Sequence, residues 1–464
     1  MTMTRPDNLS LTMIALALVM TGASSLFAGS RDKEGSRRDL VPLWLFCLFA
    51  CLTALASTWL SFIIGLELST LSLFTIIRKG DEATSRLYLL AQLAGASVLL
   101  FATSLGSSFE GNLPLGPVPP GLFPLFVIGL GVKAALPGLH FWLPRTHSQA
   151  PTEASALLSG YAVKMGIYGL LRLVGDPSPP LLLLGIVMAL YGVVQALLQH
   201  DAKRLLAYHT ISQLGFIVAA LSTGTPLGRT AALFHIVAHA LFKGLLFLSA
   251  GSLERLYGSR DLNGLGRAGR DAPLLFGLFL VGASAIAGCP FTSGYVSKIV
   301  IKSALTDQGQ AVLGLQLAGL GTTLSFCKFG YYGFWKSSGD RPEPRGFLGR
   351  QAYGAMALLA AATALVGTGP LLYPLLPLPE GTLLAPKALV DATIPVIAGI
   401  VLFALFPGLF RPRHKDAADV ENALAPLGRL LLFPLTLLRL SHTGRLRAYI
   451  ALIVAALIAI FHSL

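Results

Sequence analysis

Helix-length apolar segments follow one another along most of this chain, and lipid leaves a chain so built few choices. Where no water reaches the backbone, every N–H and C=O must be paired within the element that crosses, so such segments become membrane-spanning helices. At 464 residues, 54% hydrophobic and with a mean hydropathy of +0.70, the chain carries more apolar surface than a soluble core could cover. The segments lie at roughly 10–28, 41–56, 58–77, 86–106, 122–142, 152–173, 181–199, 205–221, 230–250, 272–305, 311–335, 351–376, 387–408 and 447–463, which predicts an all-α polytopic membrane protein of about 14 transmembrane helices. The first run is long for a signal-peptide core and has no convincing cleavage site, so it reads as a retained helix. The stretch 425–441, interrupted by Arg429, Pro434 and Arg439, reads as an interfacial helix.

Charge is scarce, at 12% of residues, yet Lys133, Lys164, Lys243, Lys298 and Lys328 sit inside apolar segments. An ammonium near the bilayer centre costs at least about 2.5 kcal/mol, so such lysines face protein or a water-filled path, or else snorkel to the headgroups. The remaining basic residues concentrate in alternate loops, among them Arg37 and Arg38, Arg78 and Lys79, Arg255 and Arg260, with little beyond Arg5 and Arg229 on the other side. That asymmetry assigns the basic side to the cytoplasm and the N-terminus to the opposite face, with a bacterial inner membrane as the expected location. It also explains the formal charge of +13 without nucleic acid. Cys47, Cys51, Cys289 and Cys327 form no CxxC pair, and neither a disulfide framework nor a cofactor is expected.

Two segments are interrupted in corresponding ways. The run at 122–142 is broken by Pro137 and Gly138, and that at 272–305 by "GCPFTSG"; each carries a lysine near its break, Lys133 and Lys298. About thirty residues after each, another lysine follows, Lys164 and Lys328. Five helices in 41–173 and five in 181–335 are therefore candidate repeats, inverted because the number is odd, flanked by an N-terminal helix and loop (1–40) and C-terminal helices (351–464). Paired broken helices point to an ion site, since unwound backbone can face a cavity but not lipid. His235, His239 and Lys243, spaced by four, form a polar stripe on one helix face. A metal site would compete for the two histidines, but no carboxylate or cysteine completes it.

The stretches "GLELSTLSLFTIIR" (65–78), "KAALPGLHFWLPRTHSQAPTEASALLSGYAVKMGIYGLLR" (133–172), "DAKRLLAYHTISQLGF" (201–216), "HIVAHALFKGLLFLSAGS" (235–252) and "GCPFTSGYVSKIVIK" (288–302) closely resemble the antiporter-like proton-translocating subunits. That family is shared by respiratory complex I, membrane-bound hydrogenases and Mrp-type sodium/proton antiporters. The resemblance covers about residues 41–335 and implies two inverted five-helix repeats. It also implies roles: Glu67 pairs with Lys133, Lys164 lies on the next helix, His239 and Lys243 form the central link, and Lys298 is the terminal lysine. A buried carboxylate with a local hydrogen bond is the lesser alternative for Glu67, and Lys328 has the spacing but no family role. His209, where many complex I relatives have serine, favours the Mrp-type D subunit and hydrogenase branches. The family also leads one to expect more N-terminal helices than the single one here, and a neighbouring subunit over the surface they would cover.

The resulting expectation is a subunit of a multisubunit membrane complex that moves protons, with sodium or potassium as candidate coupled ions, along Glu67, Lys133, Lys164, His235, His239, Lys243, Lys298 and Lys328. A lysine loses affinity for its proton when desolvated and regains it beside a carboxylate, so such a path needs no bound cofactor. Two alternatives stand beside the Mrp-type D subunit: a proton-pumping subunit of a complex I-type NADH-quinone oxidoreductase or membrane-bound hydrogenase, and a coupling subunit for inorganic carbon uptake. No Walker loop, dinucleotide fingerprint or haem motif suggests catalysis by this chain alone.

Overall fold

The protein is described by a computed structural model covering residues 6–30, 33–110, 112–336, 343–368 and 382–412. Within them the chain is helical throughout. In order come α1 (Asn8–Ala28), α2 (Lys33–Ala54), α3 (Trp59–Ile77), α4 (Glu82–Glu110), α5 (Phe123–Lys133), α6 (Leu143–Gln149) and α7 (Thr152–Leu157). One π-helical turn, Leu158–Ala162, joins α7 to α8 (Val163–Leu173), and another, Tyr331–Trp335, lies further along the chain. There follow α9 (Pro179–Leu198), α10 (Ala202–Leu221), α11 (Pro226–Tyr257), the short α12 (Ala268–Asp271), α13 (Pro273–Ala287), α14 (Ser293–Ala304), α15 (Gly309–Gly330), α16 (Arg350–Thr368) and α17 (Pro386–Leu405). Ten helical segments are long and apolar enough to cross a membrane, and Leu40–Ala54, Phe123–Lys133 and Pro273–Ala287 are shorter apolar helices. The protein is thus an integral membrane protein of the all-α class. The expected span at 447–463 and the interfacial stretch 425–441 lie outside the described residues.

Local chemistry sets many of the ends. The Asp7 carboxylate accepts from Ser10 N at 2.8 Å and caps α1; Thr58 and Ser61 form a reciprocal capping box on α3; Asp201, Thr225 and Thr292 cap α10, α11 and α14. Asp7 has a second task. It meets Arg172 of α8 at 2.5 Å, and that guanidinium holds its carboxyl well below the usual carboxylate range. One boundary differs from the sequence reading: α2 begins at Lys33 rather than near residue 41. Lys, Glu and Arg propagate a helix well, so the polar stretch extends the apolar helix outward instead of forming a loop.

The centre of the bundle is α7–α8, α10 and α11, whose residues are buried on nearly every side, whereas α9, α16 and α17 expose much of their surface. A helix without a solvated face is one whose whole perimeter meets protein, and α10 achieves this by very close packing on α9. A Cβ added at Gly215 would lie 2.5 Å from Ala189 N, and Ser212 Oγ donates to Ala189 O at 2.8 Å. Small residues that bring backbones together are the main source of helix affinity in lipid, where apolar side chains gain little by leaving it.

We expect Gly215→Ala to lower the thermal unfolding temperature of the detergent-solubilised complex, since overpacking costs roughly 1–3 kcal/mol. Gly22→Ala, where an added Cβ meets nothing within 4 Å, should be neutral or stabilising. Equal behaviour of the two variants would contradict this packing argument.

Candidate functional site

The first break begins at the last residue of α5. After Lys133 the chain runs non-helically to Trp142, with Ala135 (φ 53°) and Gly138 (φ 82°) in the left-handed region. The carbonyls released by the break are recovered: Leu136 N donates to Gly131 O at 2.8 Å, and Trp142 Nε1 to Val132 O at 2.9 Å. The Lys133 ammonium meets Glu67 Oε1 at 2.6 Å and donates to Thr70 Oγ1 at 2.8 Å. Glu67 and Thr70 stand three apart on α3 and so share a face. Only 4% of the Lys133 side chain and 18% of the Glu67 side chain are exposed, and both carboxylate oxygens are buried. Gly166 lets α8 lie against the break, because a Cβ there would come 2.7 Å from Ala134 N.

The second break has the same ingredients in α13 and α14. Gly288 (φ 86°) and Phe291 (φ 65°) turn the chain between the half-helices. Lys298 Nζ reaches back to the last carbonyls of α13, Ile286 O at 2.7 Å and Ala287 O at 3.1 Å, where a cation also meets the negative end of the helix dipole. Its ammonium lies 5.3 Å from the centre of the Phe216 ring. Beside it opens a cavity of about 50 Å³, lined among others by Phe216, Tyr295, Lys298, Lys302, Gln316 and Asp391.

Between the breaks, two fully buried lysines donate to backbone carbonyls that lie on either side of a hydroxyl pair. In the π turn the hydrogen bonds run one residue longer than in an α-helix, and the carbonyl of Ser159 accepts from Lys164 Nζ. The Ser159 hydroxyl pairs with Thr210 Oγ1 of α10 at 2.8 Å, and Thr210 Oγ1 donates to Leu206 O at 3.2 Å. That same carbonyl accepts from Lys243 Nζ of α11. Lys164 and Lys243 are therefore the two ends of one short polar chain through Ser159, Thr210 and Leu206 O.

Not every residue of the expected axis joins it in the expected way. His235 and His239 stack at 6.0 Å with nearly parallel rings, but Lys243 leaves their stripe for α10 and lies 4.9 Å from the Phe247 ring centre. His235 Nδ1 pairs with Ser297 Oγ at 2.9 Å, next in sequence to Lys298. His239 and His209 are fully buried, and neither has a hydrogen-bond partner for its ring nitrogens among the described residues. Lys328 stands apart: it donates to Leu197 O at 2.7 Å and Gln199 O at 2.6 Å, the contacts of a cap on the end of α9. Thr70, Ser159, Thr210 and Ser297 escaped the sequence reading. Each lies inside a motif quoted above, but a hydroxyl in a helix usually bonds its own turn, so the sequence holds no sign that these four reach across.

The family model described as NADH:quinone oxidoreductase/Mrp antiporter, TM, matches residues 56–325. Hydrogenase-4 component B of Escherichia coli is 29% identical over 93% of this chain and 76% of its own length. The Na(+)/H(+) antiporter D subunit of Alkalihalophilus pseudofirmus is 34% identical over 52% of this chain, which spans about half (51%) of that protein. Among solved structures, a chain of the Mrp complex from Dietzia sp. superposes with a TM-score of 0.73 at 23% identity, over 84% of this chain and 86% of its own.

The burial of Lys133 generates a stability prediction. Removing one partner of a buried ion pair costs about 3–5 kcal/mol, because the other charge is stranded. Glu67→Ala should lower the unfolding temperature by more than Glu67→Ala/Lys133→Met does. A double variant no more stable than the single would show that Glu67 does not carry the Lys133 charge.

Proposed function

The chain belongs to the NADH:quinone oxidoreductase/Mrp antiporter transmembrane family, and we propose that it is the ion-translocating subunit of a multisubunit membrane complex. The observation that carries this reading is the buried chain from Lys164 through Ser159 and Thr210 to Lys243. Two ammonium groups at the centre of an apolar bundle are costly; both donate to backbone carbonyls, which only accept, so in this reading the Ser159–Thr210 hydroxyl pair, able to donate and to accept, passes the proton between them with water bridging to each lysine. In this reading Glu67 and Lys133 form the switch at one end: with the carboxylate near, the lysine keeps its proton; with it displaced, the charge on Lys133 is no longer supported and the inner lysines respond. Lys298, reached through His239, His235 and Ser297, is the other end, and the cavity beside it is its access. The transported ion is the proton, with sodium or potassium as candidate coupled cations.

The two halves 41–173 and 181–335 are proposed as inverted repeats. Both breaks pair a left-handed glycine with a left-handed non-glycine residue and bring a lysine to a half-helix end, Lys133 as the last residue of α5 and Lys298 through its Nζ at the end of α13, which supports that division. The basic loops are proposed to be cytoplasmic, in a bacterial inner membrane, with the N-terminus outside. A Mrp-type D subunit is one placement. The extent of the hydrogenase-4 component B match, 93% of the chain, specifically favours a second, in which redox partners drive the same proton path.

Measured as ion-coupled activity of the assembled complex in proteoliposomes, Lys133→Ala and Thr210→Val should each lose activity by about 10²-fold, the scale of a lost proton-transfer group. Near-normal rates in both well-assembled variants would end the relay reading. Iron–sulfur or nickel subunits co-purifying with the wild-type chain would select the redox-driven placement. Small hydrophobic subunits alone would select the antiporter. For orientation, a cysteine introduced for Glu343 should react with an impermeant maleimide only from the cytoplasmic side, and labelling only from outside would invert the assignment.

A further inference from the structure

Outside the path just described, one more lysine is buried where its charge has to be managed. Lys203, in the first turn of α10, has a side chain only 2% exposed, and its ammonium meets Glu254 Oε2 of α11 at 2.8 Å. Glu254 itself is 35% exposed. This resembles Lys133 and Glu67 in setting a sheltered ammonium against one carboxylate, but here the acid is the more exposed of the two glutamates. On its inner side Lys203 Nζ donates to Ala150 O at 3.3 Å, and the same carbonyl accepts from Ser155 Oγ at 3.1 Å. Ser155 stands four residues before Ser159, one turn away from the residue whose carbonyl accepts from Lys164 and whose hydroxyl pairs with Thr210. Oxygen and nitrogen atoms thus lead from an exposed carboxylate to the centre of the bundle.

Glu254 is also shared. Arg260 Nη1 lies 3.4 Å from Glu254 Oε1, while its Nε meets Asp201 Oδ2 at 2.5 Å and Nη1 donates to Ser148 O at 2.6 Å. Arg260 is fixed by these other contacts, so it offers Glu254 a standing alternative to Lys203. The charged groups around Lys203 are accordingly Glu254, Arg260 and Asp201, one carboxylate divided between two cations and a second committed to the arginine.

We propose that Lys203 and Glu254 form a second carboxylate–lysine switch, which admits protons from the α10–α11 end of the protein to the Lys164–Lys243 centre. The inference rests on the relay reading above and adds its entry point. With Glu254 turned to Arg260, the Lys203 N–H bond breaks, the electron pair stays on Nζ, and the proton is taken by a water that carries it inward past Ala150 O and Ser155, while the Glu254 carboxylate gains a proton from bulk water. With Glu254 returned as the carboxylic acid, it gives its proton to the neutral amine and is left as the carboxylate, which takes the next proton from bulk water. Each cycle moves one proton and leaves both groups as they began.

A purely structural lysine would clamp the α6–α7 junction through Ala150 O, and arginine would do so equally well while holding its proton at any working pH. The test is therefore Lys203→Arg in the full complex, assayed for ion-coupled activity beside Lys133→Ala. We expect an assembled complex with activity reduced at least about tenfold, at the low end of general acid–base effects. Near-wild-type activity of Lys203→Arg alongside an inactive Lys133→Ala overturns the entry switch and leaves the relay standing, whereas activity in both overturns the relay itself. Should Lys203→Arg fail to assemble, Glu254→Gln decides, because it leaves the clamp intact. Loss of activity together with an altered pH–rate profile supports the switch, and an unchanged rate and profile overturns it.

Discussion

An ammonium buried among apolar helices must find oxygen, and in this protein most of that oxygen is backbone carbonyl. Lys298 and Lys328 take the free carbonyls of helix ends, Lys164 takes one from a π turn, and Lys243 shares one with a threonine hydroxyl. For Lys164 and Lys298 backbone distortion and lysine position are thus one feature, whereas Lys243 shares an interior carbonyl of the regular helix α10. A regular α-helix commits its interior carbonyls to its own N–H groups, so a bundle of perfect helices would leave these lysines with little to bind. The break around Gly288, the turn at Leu158–Ala162 and the end of α9 are the places where the fold opens that supply.

Carboxylates are used differently. Lys133 and Lys203 meet one each, and in both pairs the acid is the more exposed partner. A carbonyl dipole cannot change its charge, whereas a carboxylate can be protonated or swung away, so the lysines with acid partners are those whose environment can be switched. The inner lysines, held by dipoles alone, are left to respond to their neighbours. The glycines serve this arrangement by closeness: Gly166 presses α8 on the first break and Gly215 presses α10 on α9, which keeps lipid and bulk water out of the region where dipoles must suffice.

Much of this was legible in the sequence because the signals were local. Pro137 with Gly138, and "GCPFTSG", marked the breaks, and a lysine inside an apolar run was conspicuous by itself. The Glu67–Lys133 pair came from the family resemblance, not from spacing, since 66 positions separate the two. What could not be read was which hydroxyl leaves its own helix to cross to another. Thr210 does both, donating to Leu206 O one turn back and meeting Ser159 across the interface, and only the packing of α10 on the π turn distinguishes it from Thr322, which bonds Ala318 O in its own helix. Lys203 was missed for a related reason. Set among loop charges next to Arg204, it reads as one more basic residue at a helix end, until burial under Glu254 separates it from its neighbours.

Spacing charges through the bundle in this way makes coupling possible without large movement. Two like charges about 10 Å apart at an effective dielectric constant of about 20 repel by roughly 1.7 kcal/mol, close to a tenfold shift in a protonation equilibrium. A change at one lysine therefore alters the proton occupancy of the next by a usable factor, while salt and bulk water, which would erase so small an effect at a surface, are kept away. The chain of groups is also uneven. Lys164 and Lys243 are in direct connection through Ser159 and Thr210, but beyond Lys243 comes His239, whose ring nitrogens meet no partner among the described residues, before His235 and Ser297 resume the path to Lys298. A polar ring enclosed without partners is an expensive arrangement for a purely structural site. In the proposed relay it would suit a connection made only when a neighbouring charge draws water or a side chain toward it, which would link and part the two halves of the path by the charge state of the lysines themselves.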